Sequence, residues 1–326
     1  MSRKLVFTAI LVIVLIVMFA TAFRIRKVEA IEPIYIRADG NVDPSTTPIY
    51  SANNITYTFT DNINNSIVVQ RRNITIDGDG YTLNGTGTGQ WTGITVEYVD
   101  PYEDDNVTIQ NVNIVGFGVG IGLVSTEYIT ISSNNITNNN DGVWFGEVMN
   151  CTISGNLIAS NTNGINLGSA WENTFRANNI TNNTNGIWIE GSFNNYIFEN
   201  NITNNDNGVR LVYSTDNKFY HNWFVNNVNH TYIESGNPNA WNETYTIGGN
   251  YWDNFTERYP GVGNEFSGPN QDIPGPDRFW DEPYEIDGDN IDHYPIVPEF
   301  PSFFILPLFM ITTLLAIIVI RRKHPQ

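Results

Sequence analysis

The residues best suited by type and spacing to bind a ligand recur every 22 residues along the chain. They are Gly122, Trp144, Asn166, Trp188, Arg210 and Tyr232. Each is the centre of a short stretch, and strand alternation predicts that the centre points outward while its neighbours point inward. The rings of Trp144 and Trp188 would lie roughly 9.6 Å apart, two strands at about 4.8 Å each. Flat rings at this spacing could stack on alternate sugars, unless a loop or the C-terminal segment covers them. The predicted glycan-binding residues are Trp144, Asn166, Trp188, Arg210 and Tyr232.

A second candidate site is the acidic segment Asp287–Asp292. Closely spaced carboxylate oxygens are ligands that Ca²⁺ prefers, so the segment predicts a calcium site formed by Asp287, Asp289 and Asp292. The segment departs from an EF-hand loop and lacks the terminal glutamate of that loop. A solvated acidic turn is the alternative, and no other cofactor is predicted.

Catalytic chemistry has weaker support in the sequence. A polysaccharide hydrolase needs two carboxylates on one face, and a lyase needs a basic residue near carboxylates that hold a cation. No outward column repeats two carboxylates at neighbouring repeats, and Arg210 near Glu190 and Asp206 is the best catalytic candidate. The sequence assigns no catalytic residue, and it favours a protein that is not an enzyme.

The 22-residue period also predicts the fold. Three columns of residues share it, and each strand-like stretch is only three to five residues long, which indicates strands and not helices. Three short strands in each 22-residue unit describe the coil of a parallel β-helix, an all-β fold in which stacking completes the core. The columns are Gly120, Gly142, Gly164, Gly186 and Gly208; Ile114, Ile136, Ile158, Ile180, Ile202 and Phe224; and Ile109, Ile131, Ile153, Phe175, Ile197 and Phe219.

Asparagine accounts for 47 of the 326 residues, and the period gives many of them positions. Stacked amide side chains can donate and accept hydrogen bonds along a column, so these residues are predicted to support the scaffold. Asn or Asp before Gly also suits a turn with left-handed backbone. The columns are Asn134, Asn156, Asn178, Asn200 and Asn222; Asn139, Asn161, Asn183, Asn205 and Asn227; and Asp141, Asn163, Asn185, Asn207 and Asn229.

The predicted organisation has five parts. Residues 31–104 form an N-terminal cap and the first coils, residues 105–233 the regular coils, and residues 234–298 an irregular cap that covers the open end of the solenoid. Residues 1–30 are a basic and apolar segment, either a cleaved signal peptide or a retained anchor. Residues 299–326 hold an apolar span and a basic tail, which predicts a transmembrane helix.

The charge excludes some partners. The chain carries 16 Lys+Arg and 34 Asp+Glu, a net charge of −18 that repels phosphate backbones and argues against nucleic-acid binding. Between residues 31 and 301 there are 8 basic and 33 acidic residues, a net charge of −25. The single cysteine excludes an internal disulfide.

Several sequence pieces resemble a known family. They are Ile34–Gly40, Asn73–Leu83, the Asn-Asn-Ile-Thr-Asn-Asn units ending in Gly, Gly249–Trp252, Pro283–Gly288 and Asp292–Pro295. Together they resemble archaeal surface proteins with a NosD-type right-handed parallel β-helix domain, related to the carbohydrate-binding and sugar-hydrolase β-helix group. Pro298–Ser302 resembles a Pro-Glu-Phe type of C-terminal sorting signal. The resemblance is specific for fold and weak for function, because this fold hosts lyases, hydrolases, adhesins and maturation factors.

The resemblance also implies copper delivery to nitrous oxide reductase, which the residues hardly support. Copper sites favour Cys, Met and His. Met149 and Cys151 could form a soft pair, but Cys151 occupies a core column, and His221 and His230 have the pattern of surface residues. Direct copper binding is therefore doubtful.

The favoured function is a non-catalytic, membrane-anchored protein of the extracellular surface that binds glycans or builds the envelope. A polysaccharide lyase or hydrolase is the first alternative, and an accessory factor for copper-enzyme maturation is the second. Asn-x-Ser/Thr triplets predict N-glycosylation at Asn135, Asn179 and Asn201, although several triplets arise from the repeat itself. The sequence does not name the ligand.

Overall fold

Short strands stack into a right-handed parallel β-helix, as the 22-residue period predicts. The computed structural model describes residues 32–85, 91–97, 105–235 and 238–298. Within these residues the strands form three long sheets, here called A, B and C, which enclose one apolar core. In each coil the chain passes from sheet B to sheet C to sheet A.

The N-terminal part contains the first eight strands, and its parallel pairs follow the irregular spacing of the sequence. Ile94 pairs with Ile121, across a turn that is longer than those of the regular coils. The strands are β1 (Ile34–Ile36), β2 (Val42–Asp43), β3 (Ile49–Tyr50), β4 (Thr56–Phe59), β5 (Ile67–Val69), β6 (Ile74–Asp77), β7 (Thr82–Asn84) and β8 (Thr92–Val96).

The regular coils contain the next eighteen strands, and parallel partners there are one 22-residue period apart, as in Ile131 with Ile153. They are β9 (Val107–Gln110), β10 (Asn113–Val115), β11 (Val119–Val124), β12 (Thr130–Ser132), β13 (Asn135–Thr137), β14 (Asp141–Gly146), β15 (Thr152–Ser154), β16 (Leu157–Ala159), β17 (Asn163–Gly168), β18 (Thr174–Arg176), β19 (Asn179–Thr181), β20 (Asn185–Glu190), β21 (Tyr196–Phe198), β22 (Asn201–Thr203), β23 (Asn207–Val212), β24 (Lys218–Tyr220), β25 (Trp223–Val225) and β26 (Asn229–Ser235).

The C-terminal part has short elements without a common period. They are β27 (Tyr251–Trp252), α1 (Phe255–Arg258), β28 (Phe266–Ser267), β29 (Ile273–Pro274), β30 (Tyr284–Asp287) and β31 (Asn290–Asp292). Strand β27 extends sheet C, whereas β28–β29 and β30–β31 are two antiparallel hairpins.

The sheets run along the whole coil axis. Sheet A has the order β2-β1-β5-β8-β11-β14-β17-β20-β23-β26, sheet B β24-β21-β18-β15-β12-β9-β6-β4-β3, and sheet C β27-β25-β22-β19-β16-β13-β10-β7. The predicted columns of Ile and Phe point inward from sheets B and C and are fully buried, which confirms the period and the direction of the side chains.

Buried asparagine side chains form hydrogen-bonded ladders inside the coils. In the first predicted column, the Oδ1 atom of Asn178 accepts from the backbone N–H of Asn156 at 3.1 Å and from its Nδ2 at 3.0 Å. The column from Asn139 to Asn227 repeats this pattern. A further buried ladder, which the sequence reasoning missed, has the same bonds and consists of Asn173, Asn195, Asn217 and Asn239.

Glycine recurs in this column for a physical reason other than the turn that the sequence predicts. These glycines lie within the strands of sheet A, and none has a φ in the left-handed region. A Cβ at Gly186 would lie 2.5 Å from the carbonyl oxygen of Gly208 in the next coil, so only glycine fits. Left-handed residues lie instead at the corners between sheets, for example Asn138 and Asn182.

The C-terminal part closes the open end of the core, as predicted. Trp241 stacks on Phe219 at 4.2 Å between ring centroids, and Trp252 stacks on Phe224 at 4.3 Å. These rings replace the coil that would otherwise cover the last core residues, which is the task of a cap in a solenoid.

The predicted terminal segments, residues 1–30 and 299–326, lie outside the described residues. Among the residues that the structure describes, no helix has the length and apolar character needed to cross a membrane.

Candidate functional site

The outward column of the sequence analysis is a continuous row on the outer face of sheet A, here called the sheet A strip. Its members pair in register from one strand to the next: Trp144 with Asn166, Asn166 with Trp188, Trp188 with Arg210, and Arg210 with Tyr232. The residues on either side, such as Val143 and Phe145, are buried in the core. Alternation therefore leaves the row on the outside of the longest strands of the protein.

The Trp144 ring extends along its own strand toward Gly146. A Cβ at Gly146 would come within 2.9 Å of its ring atom Cη2, so the absence of a side chain at Gly146 makes room for the ring. Trp144 is half-buried and pairs across the sheet with Asn166, whose Nδ2 donates to Asp141 at 3.3 Å. The exposed part of the indole is an apolar surface in the same row as this amide.

Trp188 is covered in part by its neighbour in the strip. The guanidinium of Arg210 lies 4.6 Å from the Trp188 ring centroid and 5.5 Å from that of Tyr232. Its Nη2 donates to Glu234 at 2.8 Å, an acceptor that the sequence does not predict. The cover anticipated from a loop or the C-terminal segment is thus provided at Trp188 by Arg210 of the next coil.

Two donors in the strip lack a protein partner. Trp188 Nε1 and Arg210 Nε are both buried, and neither donates a hydrogen bond. Unpaired buried donors are unfavourable, so an acceptor-rich ligand such as a sugar could satisfy them after a small movement of Arg210. Tyr232 ends the strip with 45% of its surface exposed.

The three aspartates predicted to bind calcium do not share one site. Asp287 Oδ1 accepts from the backbone N–H groups of Asp289 and Asn290 and so shapes the hairpin turn. Asp292, at the end of β31, is fully buried. Among the described residues, no group of three or more His, Cys, Asp or Glu side chains is arranged to hold a metal ion. This placement gives no support to the calcium site.

Instead, this hairpin terminates two asparagine ladders. Asn290 Oδ1 accepts from the backbone N–H of Asn239 at 2.9 Å, and Asp292 Oδ2 accepts from that of Asn250 at 2.7 Å. Asp292 Oδ2 also accepts from Trp252 Nε1 at 2.9 Å. The last buried donors of each ladder therefore find acceptors in β31.

Asp292 makes the stability of the cap sensitive to pH. Burial raises the pKa of its carboxyl from 3.8 to about 7, because the cost of burying the charge outweighs the hydrogen bonds that favour it. Since the folded-state pKa is the higher one, the stabilisation is fully present below about pH 4 and is lost as the pH rises through about 7.

We expect the free energy of unfolding of the native protein, relative to that of Asp292→Asn, to fall by up to about 4 kcal/mol between pH 4 and pH 8. Urea denaturation of both proteins across this range measures the difference. A difference that is constant with pH would contradict the raised pKa.

The residues that could bind a soft metal are far from forming a site. Cys151 is buried, and burial raises the pKa of its thiol to about 12, so it stays protonated and packs as a core residue. His230, predicted to lie at the surface, is buried against Phe224 and Trp252 at the end of the coils, where Nε2 lies 2.8 Å from Asp253 Oδ1. His293 is exposed on the cap.

The sequence does not predict a second candidate site, which lies at the corner between sheets B and C. A cavity of 390 Å³ there is lined by Glu199, His221, Trp223, Arg278, Ile296 and Val297. One signal was visible in the sequence, since Trp223 follows Asn179 and Asn201 in a column of polar residues. The cap residues of this cavity have no periodic relation to the coils, so no pattern predicted them.

The chain is similar to known proteins over part of its length, and it covers less than two thirds of the solved structures that it resembles. Residues 50–257 match the family described as "Periplasmic copper-binding protein (NosD)". No curated protein matches the chain. The enzymatically active domain of bacteriophage CBA120 tailspike protein 2 is similar in structure, with a TM-score of 0.43 and 16% identity over 60% of this chain and 32% of that chain. The A-module of Azotobacter vinelandii mannuronan C-5 epimerase AlgE6 has a TM-score of 0.31 and 17% identity over 56% of each chain.

Proposed function

We propose that this chain, which belongs to the NosD family, is an exported, non-catalytic β-helix protein that binds a glycan chain on the sheet A strip. Residues 299–326 would hold it at the cell surface. The observation that carries the proposal is the half-buried Trp144 ring on the outer row of sheet A, where Gly146 leaves room for it. A second ring, that of Trp188, lies two strands further along the same row.

The strip has the chemistry of a sugar-binding surface. The faces of pyranose rings are apolar and their edges carry hydroxyls, so they match aromatic platforms flanked by amide and guanidinium groups. Asn166 and Arg210 occupy such flanking positions in the strip. Trp188 Nε1 and Arg210 Nε supply donors that lack protein partners.

Binding suits this face better than cleavage. A hydrolase needs one carboxyl that remains protonated, and a dry apolar surrounding provides this condition. Glu190 is exposed, and the Glu234 side chain is 49% exposed and paired with Arg210. Neither carboxyl has the surroundings of a general acid, so the strip favours a binding role.

Copper binding, which the family description names, does not fit the side chains described above. Cys151 is buried and protonated, and no group of three or more His, Cys, Asp or Glu among the described residues is arranged to hold a metal ion. A copper site needs several soft ligands that converge on one point. The proposed function therefore contains no copper step.

Affinity electrophoresis of the full-length protein in detergent, through gels containing soluble polysaccharides, tests the proposal. Replacing Trp144 by alanine is expected to weaken the affinity about two- to tenfold, since one aromatic stacking contact contributes about 0.5–1.5 kcal/mol. The double variant Trp144→Ala, Trp188→Ala should lose still more.

Trp171→Ala is the matched control, because Trp171 stacks on Phe193 at 5.9 Å outside the strip. It should behave as the native protein. Unchanged retardation of the double variant on every polysaccharide would rule out the strip as the binding surface.

A further inference from the structure

Two cavities lie on the corner between sheets B and C, far from the sheet A strip in the coil. The first has a volume of 470 Å³, and its lining includes Asn113, Ser133, Asn135 and Leu157. The second is the 390 Å³ cavity of Glu199, His221 and Trp223, which cap residues close on one side. Both volumes are in the range of small-ligand sites in proteins.

The periodic register places the two cavities on one line. The corner residues have left-handed backbone, with φ between 53° and 65°, and recur once in each coil as Asn111, Ser133, Gly155, Ala177, Glu199 and His221. The first residues of the sheet C strands pair in the same register as Asn113, Asn135, Leu157, Asn179, Asn201 and Trp223. The two columns follow the corner between sheets B and C parallel to the coil axis, and this corner with its two cavities is here called the B–C corner groove.

The first cavity presents hydrogen-bonding groups in its walls. Asn113 Nδ2 donates to the carbonyl of Gly80 at 2.6 Å, which fixes that amide. Asn135 Oδ1 is buried and accepts no hydrogen bond from the protein. A hydroxyl group of a ligand would satisfy this acceptor.

The second cavity adds an aromatic platform between two opposite charges. Trp223 is 41% exposed, and its ring packs on Tyr251 at 4.6 Å with an angle of 41°. Glu199 and Arg278 line the same cavity. Arg278 is held in place by donating to the carbonyls of Thr246 and Ile247, and His221 Nε2 contacts the Ile247 carbonyl at 2.7 Å.

We propose that the B–C corner groove is a second carbohydrate site, which binds a neutral polysaccharide chain with one sugar stacked on Trp223. The charges of Glu199 and Arg278 balance, so the cavity offers hydrogen bonds to hydroxyls without favouring a charged sugar. From Asn113 to Trp223 the wall spans five strand steps, roughly 24 Å at about 4.8 Å each, which is the length of a chain and not of one sugar. Between the cavities the corner carries the small, exposed side chain of Ala177.

The groove overlaps the predicted N-glycosylation sites. Asn135, Asn179 and Asn201 all belong to its sheet C wall, and Asn179 and Asn201 are exposed. A glycan attached at any of them would occupy the groove. The protein for the binding test must therefore be produced without N-glycosylation.

The test isolates the groove by using the full-length double variant Trp144→Ala, Trp188→Ala, in which the strip is impaired. Affinity electrophoresis with soluble β-glucan, mannan and galactan is expected to show residual retardation on at least one polysaccharide. Adding Trp223→Ala should reduce this residual affinity about two- to tenfold, and Trp223→Tyr should restore most of it, because tyrosine retains the stacking face. Thermal unfolding of each variant confirms that the coils remain folded.

Two results would overturn the groove: no residual retardation in the double variant, or residual retardation that Trp223→Ala leaves unchanged. If the strip variants have no effect but Trp223→Ala removes binding, the groove stands and the strip fails. Ser133→Trp, which fills the first cavity, should weaken binding of the long polysaccharide and leave that of its trisaccharide unchanged. Equal losses for both would contradict one chain lying along the whole groove.

Discussion

Replacing Asn178 by alanine is expected to lower the free energy of unfolding by about 3–6 kcal/mol, since each buried polar group left without a partner costs about 1–3 kcal/mol. The Asn178 side chain is buried in the middle of the first asparagine ladder. It accepts from the backbone N–H and the Nδ2 of Asn156, and it donates to the carbonyl of Ile153 at 2.9 Å and to Asn200 Oδ1 at 3.0 Å. Alanine would remove all four bonds where water cannot replace them.

The adjacent residue is a matched control. Asn179 has the same side chain, but it is exposed on the outside of sheet C. Asn179→Ala should change the free energy of unfolding by less than about 0.5 kcal/mol. Urea denaturation of the two variants and the native protein gives both values.

The contrast between neighbours tests whether the ladder stabilises the coils. If Asn178→Ala unfolds at the same urea concentration as Asn179→Ala, the buried amides do not stabilise the coils in the way that their hydrogen bonds indicate. Should Asn178→Ala fail to fold, the soluble yields of the two variants give the same comparison.

The second large effect is expected at the glycine column. In Gly186→Ala the new Cβ would lie 2.5 Å from the Gly208 carbonyl oxygen and 3.2 Å from Asn205 Nδ2. The nearer atom is backbone of the next coil, so the sheet must separate locally. We expect a loss of at least about 3 kcal/mol of unfolding free energy, the upper part of the range for overpacked cores.

Gly168→Ala is the control for this substitution. Gly168 also lies in a sheet A strand, but a Cβ there would meet only the Phe145 carbonyl oxygen, at an ordinary 3.5 Å. Its stability should equal or slightly exceed that of the native protein, because alanine reduces the freedom of the unfolded chain. Similar midpoints of urea denaturation for both variants would mean that the coils can move apart at little cost.

Both experiments depend on features that the sequence predicted only in part. The 22-residue recurrence identified the glycine column, but it suggested turns where the structure has strands and a close approach of backbones. The ladders through Asn134 and Asn139 were predicted, yet the one through Asn173 was missed although its members have the same spacing. The position one period before Asn173 holds Cys151, so the column of amides is interrupted there.

The candidate sites were likewise predictable from the sequence only in part. Periodicity was sufficient to place Trp144 and Trp188 on one outward row, because a residue and its counterpart one period later must be neighbours in a parallel coil. It did not reveal that Arg210 stacks on Trp188, since the direction of a long side chain depends on what surrounds it. The sequence does not predict a binding role for Trp223, because the cavity that contains it is completed by cap residues without a periodic relation to the coils.

The sequence alone determined the parallel β-helix, its inward columns and two of its buried ladders, because these depend on contacts between residues one period apart. The tertiary structure decided the role of the cap. Asn290 and Asp292 approach Asn239 and Asn250 across 51 and 42 residues of sequence without any repeat. Their side chains resemble a calcium motif when the sequence is considered alone, and in the folded protein they complete the hydrogen bonds at the open end of the coils. The second cavity of the B–C corner groove likewise depends on cap residues, which line it beside the periodic residues Glu199, His221 and Trp223.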